Sequence, residues 1–300
     1  MKVLILTYYW PPSGGSGVQR WVYFAKYLKE LNYEPIVITV DENQASYPVL
    51  DTSLINEVKE IRVIKTSTRE PLKLYSRLIS SDPNVGIPQG EVNTNSFFGK
   101  AAAYIRGNFF IPDARKGWIP FVLEAANKIL QEEKISFLIT TGPPHSSHLP
   151  GIKLKDKFKL NWWVDFRDPW GEVFYNKQMF RSKKSINKDA QLEKIVLEKA
   201  NGVITTIGGD FHKKLLRKNP HQKIISIPNG YDEELINKNL SLQIQPNTIT
   251  LLCFCLYRNL NNYKWSAKLK FSDNLIYLKK TLIVDDIIEK ENISNIEKFK

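Results

Sequence analysis

The chain has 300 residues, 42% of them hydrophobic and 25% charged, the balance of an ordinary globular protein with one large or two small domains; it excludes disorder, a collagen-like repeat and a disulfide scaffold. Lys and Arg number 43 and Asp and Glu 31, leaving a net charge of +12. Residues 151–220 hold 16 basic and 8 acidic side chains, and such a surface attracts phosphates, nucleotides, nucleic acid or an anionic membrane.

Residues 3–7 are a short apolar β-rich run closed by a Pro/Ser/Gly cluster. Val18, Trp21, Val22, Ala25, Leu28 and Leu31 then recur at helical spacing, with Asn32 as the stop. Residues 36–40 and 62–65 read as further strands. Strand, helix, strand in this order predicts an α/β fold, a Rossmann-like parallel sheet. Residues 67–112 interrupt the rhythm, and the Pro/Gly-rich stretch 80–90 reads as a long loop. The pattern resumes with a helix that has Pro120 in its first turn and buries Val122, Ala125, Ala126, Ile129 and Leu130. A strand over 135–140 follows. Ser146 is placed to cap the next helix. Strands over 160–164, 203–207 and 224–227 alternate with helices around Leu192–Lys199 and Phe211–Leu216. Nothing repeats.

From about Asn239 the character changes. Asn and Lys become dense and no glycine follows Gly230. The run around Cys253 and Cys255 reads as a strand with two buried thiols, because no further metal ligands are near in sequence. Segments 274–277 and 281–284 read as weaker strands, and 287–300 as a polar helix or tail. The expected organisation is a domain over 1–232 followed by an incomplete second α/β domain over 233–300. The N-terminal apolar run is too short for a secretion signal. No stretch approaches the roughly 18 apolar residues of a membrane span. A cytoplasmic location is expected, with peripheral contact at the inner membrane face.

Ligands of parallel α/β sheets bind where the strands end, and four motifs follow predicted strands. The first is Gly14-Gly15-Ser16-Gly17, opening a helix whose free N–H groups favour an anion. It matches two glycines of the dinucleotide fingerprint but meets Arg20 where a third belongs. Asp41 stands about where a ribose-binding acid would, which keeps an NAD-dependent oxidoreductase open as an alternative. The second is Thr140-Thr-Gly-Pro-Pro-His145-Ser-Ser-His148, whose histidines suit a phosphate or sugar hydroxyl. The third is Asp165-Phe-Arg167-Asp168-Pro-Trp170: carboxylates for hydroxyls and an indole for a sugar or aliphatic face, or equally a structural Asp–Arg pair and a core tryptophan. The fourth is the turn Asn229-Gly230. Lysines at 153, 155, 157 and 159, with the clusters 181–188 and 213–218, read as solvated faces or as a surface for phosphate or membrane. Aromatics do not interleave them, so nucleic acid is not expected as a partner.

KVLILTYYWPPSGGSGVQR, TTGPPHSSH, WVDFRDPW and IPNGYD, in that order from Lys2 to about Asp232, resemble the family 4 (group 1) glycosyltransferases, in particular their subfamily 4-like N-terminal domain. The resemblance implies the GT-B architecture, two Rossmann-like domains facing across a cleft. It implies sugar transfer with retention from a nucleotide-sugar donor to a polysaccharide or lipid-linked acceptor, with no cofactor and no metal. It assigns Gly14, Gly15, Ser16 and Gly17 to a loop facing the donor phosphates and the acceptor, and His145 and Asp168 to the transfer itself. His148, Asp165, Arg167 and Trp170 fall on the acceptor side, and Asn229 and Gly230 at the hinge. The second half departs from the pattern. Arg258 resembles a donor-side arginine without its glycine turn. Glu289 and Glu297 have the family's spacing in a tail without its glycine loop, and read as coincidence. A truncated, non-catalytic remnant that binds acceptor or partner is the second alternative.

Overall fold

A computed structural model describes residues 1–70 and 97–230. The loop read over 80–90, the two cysteines, Arg258, Glu289, Glu297 and the whole second half of the expected organisation lie outside the described residues.

Strand β1 (Lys2–Leu6) is apolar on both faces because both are covered. Val3 and Ile5 pack with helix α1 (Ser16–Glu30), through Val18, Trp21, Val22 and Ala25. Leu4 and Leu6 point the other way, toward helices α3 (Ile119–Glu132) and α4 (Leu149–Phe158). The remaining strands are β2 (Glu34–Val40), β3 (Arg62–Thr66), β4 (Phe137–Gly142), β5 (Asn161–Phe166), β6 (Gly202–Thr205) and β7 (Ile224–Ser226). They form one sheet in the order β3-β2-β1-β4-β5-β6-β7, and every neighbouring pair is parallel. The predicted Rossmann-like parallel α/β sheet is therefore the observed one. Chain order runs outward to β3 on one side of β1 and to β7 on the other, so the order reverses between β1 and β4. At such a reversal the helices leave toward opposite faces and open a crevice at the strands' carboxyl ends.

Helix α1 starts at Gly15, whose φ of 109° suits a residue without a side chain. It ends at Leu31 and Asn32, the latter left-handed with φ 63°, as an asparagine stop should be. Helix α3 carries Pro120 in its first turn and buries Val122, Ala126, Ile129 and Leu130, with Ala125 half-buried. Helices α5 (Lys183–Lys199) and α6 (Asp210–Lys218) join the same core as α3 and α4, through Val196, Leu197, Phe211 and Leu215. Ser182 caps α5, its hydroxyl accepting from the Ser185 N–H.

Two expectations are corrected. The irregular stretch 67–112 contains helix α2 (Phe97–Phe109). Its Tyr104, Ile105 and Phe109 point outward, so its apolar residues do not trace the buried stripe by which a helix is read. Ser146 caps nothing. It lies inside a 3₁₀ turn, His145–His148, and both its N–H and its hydroxyl donate to Asp113 at 2.8 Å.

Candidate functional site at the carboxyl edge

The glycine turn follows β1, the histidine turn follows β4 and the aspartate–arginine stretch ends β5. These strands are adjacent, with Leu6 beside Thr140 and Thr141 beside Asp165. Three of the four motifs therefore gather on one edge, astride the reversal point.

Arg167 joins them. Its Nε donates to the Gly142 carbonyl at 3.2 Å and its Nη2 donates to the Pro143 carbonyl. Its Nη1 lies against Gly17, only 1.2 Å from where a Cβ on that residue would stand. Gly17 is thus needed to admit a guanidinium to the first turn of α1. Burial lowers the Arg167 pKa, against the pull of the Asp165 and Asp168 carboxylates. A guanidinium and the positive end of a helix dipole repel one another at this contact, and an anion beside both would relieve the repulsion. Not every glycine of the turn is free for that purpose. The Gly14 N–H donates to the Val49 carbonyl at 2.9 Å. Gly15, the N-cap, offers the first turn no side-chain bond, and Ser16 is exposed.

His145 is 6% exposed and stacks on Trp170, with centroids 4.8 Å apart and planes 11° apart. Trp170 is 3% exposed and its Nε1 donates to Asp189 at 2.7 Å. The Trp170 indole, read equally as a sugar-facing or a core ring, is the floor under His145. Neither His145 nitrogen has a well-formed hydrogen bond, although the nearby Pro169 carbonyl slightly favours protonation. Burial and the Arg167 charge hold its pKa down at about 3, so the ring is neutral. His148 is fully buried, and burial, His145 and Arg167 likewise push its pKa well below the usual histidine value. Its Nδ1 meets the Thr140 hydroxyl at 2.8 Å, and that hydroxyl also accepts from the Trp162 indole at 3.0 Å. The Thr140 proton is then best used toward Nδ1, which leaves the hydrogen of His148 on Nε2. That Nε2 and Nδ1 of His145 both overhang Gly142, at 2.6 and 3.1 Å from a would-be Cβ.

Asp165 is closed off from solvent. Arg20 donates to it from Nε at 3.3 Å and from Nη2 at 3.1 Å, Trp21 donates at 2.6 Å and Thr141 at 2.9 Å. The expected Asp–Arg pair within the motif is in fact a pair with α1, and its carboxylate has no edge left to offer an acceptor. Asp168 is exposed, yet loss of hydration raises its pKa, with Arg167 opposing and Asp165 adding to the rise. Arg20 also donates from Nη1 to the Ile227 carbonyl at 2.7 Å and to Asn229 Oδ1 at 3.1 Å. The predicted hinge residue Asn229 is thus tied to the same buried hub, and Gly230 follows it with no neighbour where a Cβ would stand.

Sequence reasoning passed over Arg20 and Asp113. Arg20 entered only as a mismatch to a glycine pattern. A charged residue next to Trp21 on the buried side of α1 was the available signal, since a buried charge needs a partner. Asp113 clasps the histidine turn and also accepts from the Arg115 N–H at 2.8 Å. It gave no local signal, because its partner lies 33 residues on.

One further feature marks this edge. Buried side-chain atoms without a hydrogen-bond partner include Tyr8 Oη, Trp10 Nε1 and Ser13 Oγ after β1, Thr68 Oγ1 after β3, and Ser147 Oγ and His148 Nε2 after β4. Such atoms are rare in a satisfied interior, and here they follow the carboxyl ends of three strands. Among the described residues no group of three or more His, Cys, Asp or Glu side chains is placed to hold a metal.

No family model matches the chain, and no curated protein matches it. Solved structures do. Sucrose-phosphate synthase from Thermosynechococcus elongatus is similar at 15% identity, over 78% of this chain and 49% of its own, with TM-score 0.45. A ugt transferase from Siraitia grosvenorii in complex with UDP is 11% identical over 80% of this chain and 54% of its own, with TM-score 0.39. The glycosyltransferase SnogD from Streptomyces nogalater is 14% identical over 77% and 53%, with TM-score 0.33. This chain spans about half the length of each.

Proposed function

We propose that this chain is a glycosyltransferase in which residues 1–232 form the acceptor-side domain and residue 233 begins the donor-side domain. The observation that carries the reading is the meeting of the glycine turn, the histidine turn and Arg167 at one strand edge. Chemically, the bond between the sugar's anomeric carbon and the nucleotide phosphate breaks, a bond to an acceptor hydroxyl oxygen forms with retention, and that hydroxyl's proton leaves with the phosphate. Negative charge grows on the departing diphosphate. Arg167 and the first-turn N–H groups of Gly15, Ser16 and Gly17 would meet it, already oriented and partly dry. His145, neutral at any physiological pH, would donate to one sugar oxygen and accept from another hydroxyl rather than supply charge. The exposed Asp168 would accept from the acceptor hydroxyl.

Calorimetry of the full chain with UDP, GDP and NAD tests the reading. Binding of a nucleoside diphosphate, with slow hydrolysis of its sugar conjugate that His145→Ala abolishes, is the expected result. NAD binding with neither diphosphate bound would replace it by the oxidoreductase alternative, and silence toward all three by the non-catalytic one.

A further inference from the structure

Helix α2 turns an apolar face outward. Tyr104, Ile105 and Phe109 fall at i, i+1 and i+5, on one side of a helix with about 3.6 residues per turn, and Phe109 is 66% exposed. Phe180 belongs to the same patch: Asn108 on α2 donates from one amide nitrogen both to the Tyr104 carbonyl at 2.8 Å and to the Phe180 carbonyl at 3.2 Å. Asn108 Oδ1 accepts from the Ser182 N–H at 2.7 Å and from the Ser185 hydroxyl at 2.9 Å, which brings the start of α5 and the exposed Ile186 alongside. Single exposed apolar side chains are ordinary, but five gathered around the Asn108 hydrogen bonds make a surface.

The exposed charges around this patch are basic. Lys116 donates to the Phe109 carbonyl at 2.6 Å. Burial and then the charge of Lys188 lower its pKa, with the buried Asp113 carboxylate opposing. Lys183 and Lys184 are exposed on the same first turn of α5. None of these four makes an ion pair among the described residues. The nearby acids are spent: Asp189 is buried with Arg181 and Trp170, and Asp113 holds Ser146. Apolar tips within a ring of unpaired lysines suit a phase that is apolar inside and anionic outside.

We infer that the α2 face, with Phe180 and the first turn of α5, docks on an anionic lipid bilayer, its aromatic and aliphatic tips entering the headgroup boundary and its lysines meeting lipid phosphates. This goes beyond the proposed transfer and does not depend on it.

The test is co-sedimentation of the full chain with vesicles of phosphatidylcholine alone and of phosphatidylcholine with phosphatidylglycerol, no sugar donor being present. Binding that requires phosphatidylglycerol and weakens with salt is expected. Ile105→Asp with Phe109→Asp should weaken it at least about tenfold through lost apolar insertion. Lys183→Glu with Lys184→Glu should do so to a similar degree, about tenfold or more, through lost lipid attraction. All four sites are exposed, and unchanged thermal unfolding of the variants would confirm that they fold. Absence of binding to phosphatidylglycerol vesicles, or binding that neither pair of substitutions alters, overturns the inference. So does a dimer in the ultracentrifuge that the aspartates dissociate, since the patch would then be covered by a second copy. Nucleotide binding is measured without vesicles, so the two readings fail separately.

Discussion

His145 and His148 are two neutral imidazoles beside a guanidinium. Both have folded pKa values depressed below the unfolded one, so an unfolded chain takes up protons that the folded chain refuses. Their contribution to stability is whole above the unfolded pKa, near 6.5, and is lost as pH falls toward the folded value of about 3 for His145. Each would cost about 1.4 kcal/mol per pH unit inside that window. Urea unfolding between pH 7 and pH 4 should therefore show a steep loss of stability, shallower in His145→Gln. A His145 ring proton that titrates by NMR near its ordinary pKa would contradict the burial argument. Gly17 makes a second prediction. Gly17→Ala forces the Arg167 guanidinium from its seat. Transfer should fall more than about tenfold if that guanidinium meets the diphosphate, while the far-UV dichroism is unchanged; full activity would remove Arg167 from the phosphate site.

The histidine turn is held as an element, not residue by residue. It is a short 3₁₀ stretch whose middle is fastened to Asp113 by two bonds from Ser146, and burial raises the Asp113 pKa against them. Asp113→Ala should cost about 1–3 kcal/mol in unfolding free energy by leaving the buried Ser146 groups unpaired. Transfer should fall with it as His145 loses its place, and Asp113→Asn should recover only part of the stability, because its amide nitrogen must face the N–H of either Ser146 or Arg115. The same region shows where periodicity reads well and where it does not. Helix α3 has its apolar side chains on one stripe and was legible. Helix α2 has some of them facing solvent, and it contains Gly99 and Gly107, so the pattern that identifies a half-buried helix was missing. Strand β4 was read two residues early because its end is set by pairing with Asp165 and Phe166 on β5, which no local feature of residues 135–142 encodes.

Across the whole molecule, Asp165 and Arg20 join α1, β4, β5 and the segment after β7 through one buried pair. Asp165→Ala would strand the Arg20 charge in the interior, and a loss of about 3–5 kcal/mol in urea unfolding is expected; a loss under about 1 kcal/mol would mean that water reaches the pair. Much of the architecture was written locally: apolar runs of strand length alternating with amphipathic helices specify a parallel sheet, because only helices on both faces can cover strands that are apolar on both. The candidate site was half legible for a related reason. Glycine, proline and histidine clusters directly after strands are local features, and a parallel sheet places all such positions on one edge. What the chain could not reveal by itself was partnership. That Asp165 belongs to Arg20, Arg167 to Gly17, Trp170 to His145 and Ser146 to Asp113 depends on strand order, since β1 lies beside β4 only after some 130 intervening residues have folded around them, and the energy of a buried charge or ring is decided by whatever packs against it, not by its neighbours in sequence.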